Sequence, residues 1–394
     1  MSDWRHVPAG KIARQRREIV RLEPGTGYRT MGVRWYGKGG YARGFVTTET
    51  VKAKFLYRAR EGDFTFNRID THKGAFDVVS AELDGALATN EFPLYEVNEE
   101  EVDARFLLLN FQRSEVLRQI SAMRAGSEGR ARWKEADFEA WVVPVPPLPV
   151  QGRIIEVIGA VENQITALDA EADSLLRLRN AALGDILSRG GEGWSSAPLS
   201  KVGTLGRGRR FVKSDYVHSG LGCIHYGQIY TDHGASATRT VTYLPESFRG
   251  SMRLAQPGDV VIAGTSENVE DVGKAVAWLG DDDVAVHDDC FIFRHDLDPK
   301  FVSYFFASPL FHHMKRRFTS ETKVVRVSAA NLNKIVMPVP PRDEQERISG
   351  MADAMDTQVA ALRAEAERLR QARVALLSGL LDRTIDIESA KLEV

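Results

Sequence analysis

The stretch Val143-Pro-Val-Pro-Pro147 returns 194 residues later as Met337-Pro-Val-Pro-Pro341. The match then continues without a gap through the following forty or so residues. Identical residues at this offset include Gln151/Gln345, Arg153/Arg347, Ile154/Ile348, Leu168/Leu362, Leu175/Leu369, Arg179/Arg373 and Leu183/Leu377. A gapless match of this length means that one unit was duplicated, so the chain is a pseudo-two-fold internal repeat.

The part of each repeat that follows the prolines predicts a long helix with a narrow apolar seam. Apolar side chains recur there at alternating steps of four and three, a mean period of about 3.5 that is typical of a coiled coil. A helix of about 40 residues would be about 60 Å long. The predicted seam positions are Ile154, Ile158, Val161, Ile165, Leu168 and Leu175 in the first copy, and Ile348, Met355, Val359, Leu362, Leu369, Leu376 and Leu380 in the second.

The two helices are predicted to pair with each other. The proline-rich run before each copy excludes helix there and marks where the helix starts. Antiparallel pairing is favoured because each helix must return the chain to the opposite end. Arg179 and Arg373 interrupt the two seams at matching positions. Two separate amphipathic core helices are the alternative.

The segments before the helices predict two globular modules of mixed α/β structure. They contain strand-like runs and many glycines, and they correspond weakly, as in Trp4 and Trp194 or Gly62-Asp63 and Gly258-Asp259. Their interiors have diverged within a retained frame, as expected of two readers of different sequences. A duplicated module suits a ligand that is itself two-fold repetitive, and duplex DNA is the leading candidate. The predicted order is an α+β arrangement of module 1–149, helix 150–190, module 191–341, helix 342–386 and tail 387–394.

Composition sets looser bounds on function. The 394 residues hold 52 basic and 54 acidic side chains, which argues against a purely electrostatic nucleic-acid binder unless its basic residues cluster on one face. Cys223 and Cys290 are the only cysteines, so no disulfide framework is implied and a cytoplasmic location is expected. No run of eighteen apolar residues occurs, so no membrane span is predicted.

The chain resembles the specificity subunits of type I restriction–modification enzymes. The resemblance rests on the duplicated Pro-Val-Pro-Pro…Gln-x-Arg-Ile entry into a long helix and on the Trp-led start of each module. Tyr28–Arg34 with Gly37-Lys-Gly39, and His225-Tyr-Gly-Gln-Ile229, also look like segments of target recognition domains. The resemblance implies two such domains, each reading one half of a split site in double-stranded DNA, separated by an antiparallel helical spacer. It further implies assembly with two modification subunits and with restriction subunits, and a departure from the family is the short tail from Glu388 to Val394.

Candidate DNA-binding residues follow from the chemistry of base recognition. Arg suits guanine, and Asn or Gln suits adenine, through paired hydrogen bonds, whereas phosphate contacts only position the protein. In the first module the candidates are Arg34, Tyr36, Lys38 and Arg43 in a glycine-rich cluster, with Asn67 and Arg68 in a second loop. In the second module they are Arg207, Arg209, Arg210, Lys213, His225, Tyr226, Gln228, Tyr230, Lys323 and Arg326.

The sequence lacks the familiar catalytic motifs. It contains no G-x-x-x-x-G-K-[ST] loop, no H-E-x-x-H zinc motif and no G-x-S-x-G elbow. Glu321-Thr-Lys323 with Asp288-Asp289 has nuclease-like spacing, but such charged triplets are common by chance. Cys223-x-His225 with His287-x-x-Cys290 has atypical zinc spacing, and two ordinary buried thiols are the simpler interpretation.

Three classes of function are therefore compared. A non-catalytic DNA specificity subunit explains the duplication, the divergence and the missing motifs together. It needs no metal or cofactor of its own, and S-adenosylmethionine, ATP and Mg²⁺ are expected in its partner subunits. A coiled-coil scaffold with two protein-binding domains leaves the basic, aromatic loops without a role. A self-contained nuclease or methyltransferase fragment would need a catalytic constellation that this sequence lacks.

Overall fold

The computed structural model describes residues 4–123, 131–318 and 325–387 of the chain. Contacts within the chain define two compact units. The first consists of Met1–Ala167 together with Glu365–Val394, and the second consists of Leu168–Ala364. Each unit therefore contains one module and one part of each long helix.

The first unit is rich in short strands. Its strands are Arg5–Pro8 (β1), Ala13–Arg16 (β2), Ile19–Arg21 (β3), Tyr28–Val33 (β4), Gly40–Val46 (β5), Phe55–Arg58 (β6), Phe64–Phe66 (β7), Phe76–Val78 (β8), Leu87–Ala88 (β9), Leu94–Val97 (β10) and Val142–Val145 (β11). Its short helices are Ala9–Ile12 (α1), Ala104–Phe111 (α2), Ser114–Met123 (α3) and Glu135–Ala140 (α4), with 3₁₀ turns at Thr71–Lys73 and Ala81–Leu83. The long helix Leu148–Arg189 (α5) starts in this unit.

The second unit repeats this element order with additions. Its strands are Ser195–Pro198 (β12), Gly203–Arg207 (β13), Leu221–Ile224 (β14), Ser236–Ala237 (β15), Thr242–Leu244 (β16), Leu254–Ala255 (β17), Val260–Ala263 (β18), Thr265–Ser266 (β19), Ala275–Trp278 (β20), Val284–Val286 (β21), Cys290–His295 (β22), Val325–Arg326 (β23) and Val336–Val339 (β24). Its helices are Leu199–Val202 (α6), Tyr226–Thr231 (α7), Pro299–Ala307 (α8), Pro309–Lys315 (α9), Ala329–Leu332 (α10) and Arg342–Leu381 (α11), with 3₁₀ turns at Lys213–Asp215, Glu246–Phe248 and Arg316–Phe318.

Each module contains its own copy of one sheet, called the shared sheet below. In the first module its strand order is β2-β10-β7-β8, and in the second it is β13-β22-β18-β20-β15. The first four strands correspond one to one along the chain. The helices that follow, α2 with α3 and α8 with α9, also correspond. The predicted common frame is therefore present, with β15 added at one edge.

The first proline of each repeated run, Pro144 or Pro338, lies in the last strand of its module. Strand β11 pairs antiparallel with β1, so that Val145 lies opposite Arg5, and β24 pairs with β12, so that Val339 lies opposite Ser195. Each pair is a separate two-stranded sheet. Proline is tolerated there because such edge strands have backbone N–H positions without a ladder partner.

A buried glutamine ties each long helix to its module. The Gln151 amide donates to the carbonyls of Pro146 (2.8 Å) and Glu101 (2.9 Å) and accepts from the Asp103 N–H (2.9 Å). Gln345 repeats the arrangement with Pro340 (2.8 Å) and the Asp298 N–H (2.8 Å). Asp103 and Asp298 are the N-caps of α2 and α8. The duplicated glutamine thus joins the start of α5 to the start of α2, and the start of α11 to the start of α8.

The long helices pair antiparallel, as predicted. In the first unit Arg373 of α11 contacts Glu162 of α5. In the second unit Arg363 contacts Asp173 at 3.5 Å, and Arg179 contacts Asp356. Along these contacts the residue numbers on α5 increase while those on α11 decrease, as in an antiparallel pair.

The apolar seam is largely where its period places it. Buried seam residues are Ile154, Ile158, Ile165, Leu168, Ile348, Val359, Leu362 and Leu380, and half-buried ones are Val161, Leu175, Met355, Leu369 and Leu376. Towards the helix ends the seam merges with the module cores. Ile158 and Leu376 lie in the aromatic core of the first unit, and Ile348 lies in that of the second.

The second helix ends earlier than predicted, at Leu381 rather than residue 386. Arg383 adopts a left-handed conformation (φ 60°), and the Thr384 and Ile385 N–H groups both donate to the Gly379 carbonyl. This is a helix-terminating geometry that the seam pattern does not encode. The chain then runs to Ile387, which is buried and whose carbonyl accepts from Arg153.

The modules differ most outside the shared sheet. The first carries a five-stranded sheet in the order β3-β6-β9-β4-β5, whereas the second carries a four-stranded sheet in the order β16-β14-β21-β17 and the pair β19-β23. Most of the candidate binding residues lie in or beside these divergent parts. Among the described residues no helix is long and apolar enough to cross a membrane.

Candidate nucleic-acid interface

The first module presents a basic hairpin formed by β4 and β5. Between Tyr28 and Val46 the chain has four cationic side chains and no acidic one. Three of the cations, Arg34, Lys38 and Arg43, are candidates from the sequence, and all three are exposed. The structure therefore brings them together on one surface feature with an unbalanced positive charge.

The tip of this hairpin is held in an unusual conformation. Tyr36 has a φ of 59°, a left-handed value that is uncommon for residues other than glycine. Its N–H donates to the Lys73 carbonyl at 2.7 Å, and the Gly37 N–H donates to the Gly74 carbonyl at 3.0 Å. The Tyr36 side chain is 71% exposed. The backbone is thus fixed while the aromatic ring is left in solvent.

Two cation–π contacts order the side chains around the tip. The Lys73 ammonium lies 3.7 Å from the Trp35 ring centroid, and the Arg34 guanidinium lies 4.6 Å from that of Tyr41. Gly32 makes room for the second contact, since a Cβ there would lie 3.0 Å from the Tyr41 ring and 2.8 Å from Arg43. A glycine at this strand position therefore lets long side chains lie across the strand.

Asn67 and Arg68 make polar contacts within the first module. The Asn67 amide donates to Asp70 at 3.2 Å and accepts from the Ile69 N–H at 3.0 Å, which closes a local turn. Arg68 contacts the Asn90 carbonyl at 3.3 Å and the Glu135 carboxylate at 3.4 Å. Both side chains are half-buried and most of their polar groups are engaged within the module, whereas the buried Arg68 Nε has no hydrogen-bond partner among the described residues. This geometry does not favour their predicted contact with DNA.

The second module gathers its cations around an open cleft of about 920 Å³. Arg207, Arg210 and Arg326 line it, and all three are exposed. The Arg207 guanidinium donates to the Asp288 carbonyl at 2.6 Å. Arg209 and Lys213 are exposed on the same connecting segment but do not line the cleft. Lys323 lies outside the described residues, as does Glu321 of the nuclease-like triplet.

The floor of this cleft contains His287, Asp288 and Asp289. Among the described residues, these three form the group of His, Cys, Asp or Glu side chains that could hold a metal ion, with their potential ligand atoms within 4.8 Å of one another. Both His287 nitrogens are already used, because Nε2 contacts the Phe211 carbonyl (3.0 Å) and Nδ1 accepts from the Asp289 N–H (3.2 Å). Cys223 and Cys290 do not join the group, and both are buried thiols whose pKa is raised by burial. The arrangement thus favours the simpler interpretation of the cysteines.

The aromatic segment around α7 is more buried than the sequence suggested. Gln228 is buried and donates to the Thr242 hydroxyl at 2.9 Å, while the Tyr230 hydroxyl donates to the Thr265 carbonyl at 2.6 Å. Burial lowers the pKa of His225, whose Nδ1 accepts from the Gly227 N–H, so the ring is neutral near pH 7. Tyr226 is half-buried. Gln228 and Tyr230 therefore hold the module together rather than reach outwards.

Sequence reasoning missed Lys73 and the role of Asp77. Lys73 is 37 residues from Tyr36, and nothing near it in sequence marks a contact with the hairpin. Asp77 accepts from the Gly40 N–H at 2.6 Å, and burial raises the pKa of its carboxyl group. These contacts connect the hairpin to β8 of the shared sheet, through Asp77, and to the 3₁₀ turn before it, through Lys73.

The chain is similar to curated specificity subunits. It is 21% identical over 273 residues to the type I restriction enzyme MjaVIII specificity subunit of Methanocaldococcus jannaschii, covering 64% of each chain. It is 26% identical over 205 residues to the EcoKI specificity subunit of Escherichia coli K12, covering 48% of this chain and 43% of that one. The matches thus span about half to two thirds of the curated relatives' length. No protein-family model matches the chain.

Solved structures show the same fold. A chain from a structure of the type I R-M system superposes with a TM-score of 0.62 at 20% identity, covering 97% of this chain and 98% of that one. The type I S subunit of M. genitalium superposes with a TM-score of 0.52 at 11% identity, covering 96% of both chains.

The chain is thus similar in sequence to type I restriction enzyme specificity subunits, and its two modules on a duplicated helical frame have the fold of the solved type I structures. The resemblance noted in the sequence is confirmed by the curated relatives, and the predicted fold class is confirmed by the structural ones.

Proposed function

We propose that this chain is the DNA specificity subunit of a type I restriction–modification complex, with each module reading one half of a bipartite target. The observation that carries the proposal is the contrast between the modules. They share a sheet order strand for strand, yet they present different basic surfaces, the β4–β5 hairpin in one and the Arg207–Arg210–Arg326 cleft in the other. A duplicated scaffold with diverged basic surfaces suits a ligand with two unlike halves.

The chain acts through binding, and the chemistry belongs to its partners. We propose assembly with two modification subunits, which would bring S-adenosylmethionine, and with restriction subunits, which would bring ATP and Mg²⁺. We further propose that the target has two short blocks around a fixed gap. Curated relatives that are specificity subunits support this division of labour.

A module exchange tests the proposal. Residues 191–341 are replaced by the corresponding module of a related subunit, and the methylated motif of a host carrying the intact system is read by methylome sequencing. One block of the motif should change and the other should stay. A change in both blocks would contradict two independent readers.

A binding experiment separates this function from that of a protein scaffold. The assembled complex is mixed with randomised duplex, and bound DNA is sequenced. A specificity subunit enriches one bipartite sequence, whereas a scaffold with two protein-binding domains enriches none. The purified chain alone should transfer no methyl group, and the addition of modification subunits should restore methylation.

A further inference from the structure

The tip of the β4–β5 hairpin has a feature that base-edge recognition does not require. We propose that Tyr36 stacks on a base at one unstacked step in or beside the first half-site, and so makes the complex sensitive to how easily that step deforms. This inference rests on the proposed function. It assigns Tyr36 to stacking and Lys73, through Trp35, to positioning the tip.

The backbone at the tip of the hairpin is fixed, and the Tyr36 ring is exposed to solvent. Two backbone hydrogen bonds to Lys73 and Gly74 keep Tyr36 in its left-handed conformation, which most residues avoid. The supporting 3₁₀ turn Thr71–Lys73 packs against helix α3. Trp35 is held beneath the Lys73 ammonium and meets Tyr36 edge to face, with ring centroids 6.3 Å apart. An exposed ring on a fixed backbone loses little conformational entropy when it stacks.

The charge around the ring favours a nucleic acid over a protein partner. The hairpin carries Arg29, Arg34, Lys38 and Arg43 without any acidic side chain of its own, and Lys73 beside the tip is ion-paired with Asp70 at 3.0 Å. A two-stranded β-ribbon fits the major groove of B-DNA, where phosphates flank the base edges. An aromatic residue at such a tip meets bases while the surrounding cations meet the backbone.

Stacking of the Tyr36 ring on a base would contribute affinity at any sequence, but the free-energy cost of unstacking the DNA depends on the base-pair step. Base–aromatic stacking tolerates every base, whereas TA and CA/TG steps come apart most easily. The step that Tyr36 enters should therefore be one of these. Every such step contains a thymine on at least one strand, so unstacking can be detected as permanganate oxidation of that thymine.

The experiment uses the full chain assembled with modification subunits, and the probe is the duplex that the wild-type complex selects from a random pool. Tyr36→Gly removes the ring and suits a φ of 59°, so the fold is retained. Tyr36→Phe keeps the ring. Phe45→Ala is the matched control, because Phe45 is an exposed aromatic residue on the same hairpin away from the tip.

Wild-type and Tyr36→Phe complexes should make one thymine of the first half-site, or of its flank, reactive to permanganate. Tyr36→Gly should abolish that reactivity and weaken binding about tenfold at fixed salt without changing the salt dependence. Phe45→Ala should behave as wild type. Equal reactivity and affinity for wild type and Tyr36→Gly would overturn the inference, as would loss of partner subunits from the Tyr36→Gly complex on gel filtration, which would indicate a protein contact. If the wild-type complex selects no sequence at all, the proposed function itself fails.

Discussion

Arg373 on α11 forms an ion pair with Glu162 on α5, and the same pair recurs with the helices exchanged, as Arg179 with Asp356. Both arginines and both acids are separated by 194 residues, the offset of the repeat. The arginines that interrupt the apolar seam are therefore two copies of one interhelical contact. The internal symmetry extends to individual charge pairs.

The two pairs should contribute unequally to stability. The difference lies in the acids: Asp356 is less exposed than Glu162 and also accepts from the Tyr304 hydroxyl at 3.0 Å. The two arginines are equally buried, and each keeps a neighbouring amide, Asn180 or Gln112, when its acid is lost. Asp356→Ala should therefore lower the free energy of unfolding by about 1–3 kcal/mol, and Glu162→Ala by about 1 kcal/mol or less. Urea unfolding measures both values. Equal losses would show that the Tyr304 contact and the lower exposure of Asp356 add nothing.

The buried glutamines offer a second matched comparison. Gln151→Leu leaves two carbonyls and one N–H without their partner, whereas Gln345→Leu leaves one carbonyl and one N–H. Each buried polar group without a partner costs about 1–3 kcal/mol, so Gln151→Leu should be the more destabilising substitution. Thermal unfolding of the two variants tests this order. The reverse order would mean that the added Glu101 contact carries no energy.

Crosslinking tests the direction of helix pairing. Cysteines at Ile158 and Leu376, which lie in one core, should form a disulfide under mild oxidation. The two natural cysteines are buried, and burial raises the pKa of Cys223 to about 11, so they should not compete. Crosslinking is measured by mobility in non-reducing gels. Efficient crosslinking of Ile158→Cys with Ala352→Cys, the parallel register, would refute the antiparallel pair.

Lys315 should make stability depend on alkaline pH. Burial lowers the pKa of its ammonium group to about 8 from 10.5, and the group donates to the Glu270 and Val272 carbonyls. Between these two pH values the unfolded chain binds more protons than the folded one, so stability should rise with pH by about 3 kcal/mol from this group. Urea unfolding between pH 7.5 and about 10.5 measures the slope.

The Lys315→Met variant should lack this rise. The matched control is Lys11→Met, which alters an exposed lysine and should leave the slope as in the wild type. If the free energy of unfolding of Lys315→Met keeps the wild-type pH dependence, the pKa of Lys315 is not lowered by folding and another group causes the rise.

Arg34 should distinguish base recognition from phosphate contact. If its guanidinium reads a guanine, Arg34→Ala should cost about 1–3 kcal/mol of binding and relax one position of the first block only. Arg34→Lys should fail to restore that position, because an ammonium cannot form the paired hydrogen bonds. Arg29→Ala is the control, since its guanidinium is tied to the Asp84 carbonyl at 2.7 Å. Even weakening across all sequences, with a lower salt dependence, would assign Arg34 to phosphate.

The sequence predicted the long helices and the two modules better than the surroundings of individual candidate binding residues. Periodicity and repetition suffice for the helices and the paired modules, because both leave regular traces along the chain. The positions of Gln228 and Tyr230 were not predictable, since polar and aromatic side chains look the same in sequence whether they bond inwards or outwards. The cation–π contact between Lys73 and Trp35 joins residues that are far apart in sequence, so no local pattern predicts it.

The order in which the chain is made does not match the order of its compact units. The second unit is one continuous segment, Leu168–Ala364, whereas the first needs Glu365–Val394 to complete it. Ile387, Leu377 and Leu380 from that last segment are buried in the core that contains Trp4 and Ile12. During synthesis the first unit therefore lacks part of its core until Glu365–Ile387 has been made, whereas the residues of the second unit are complete before then.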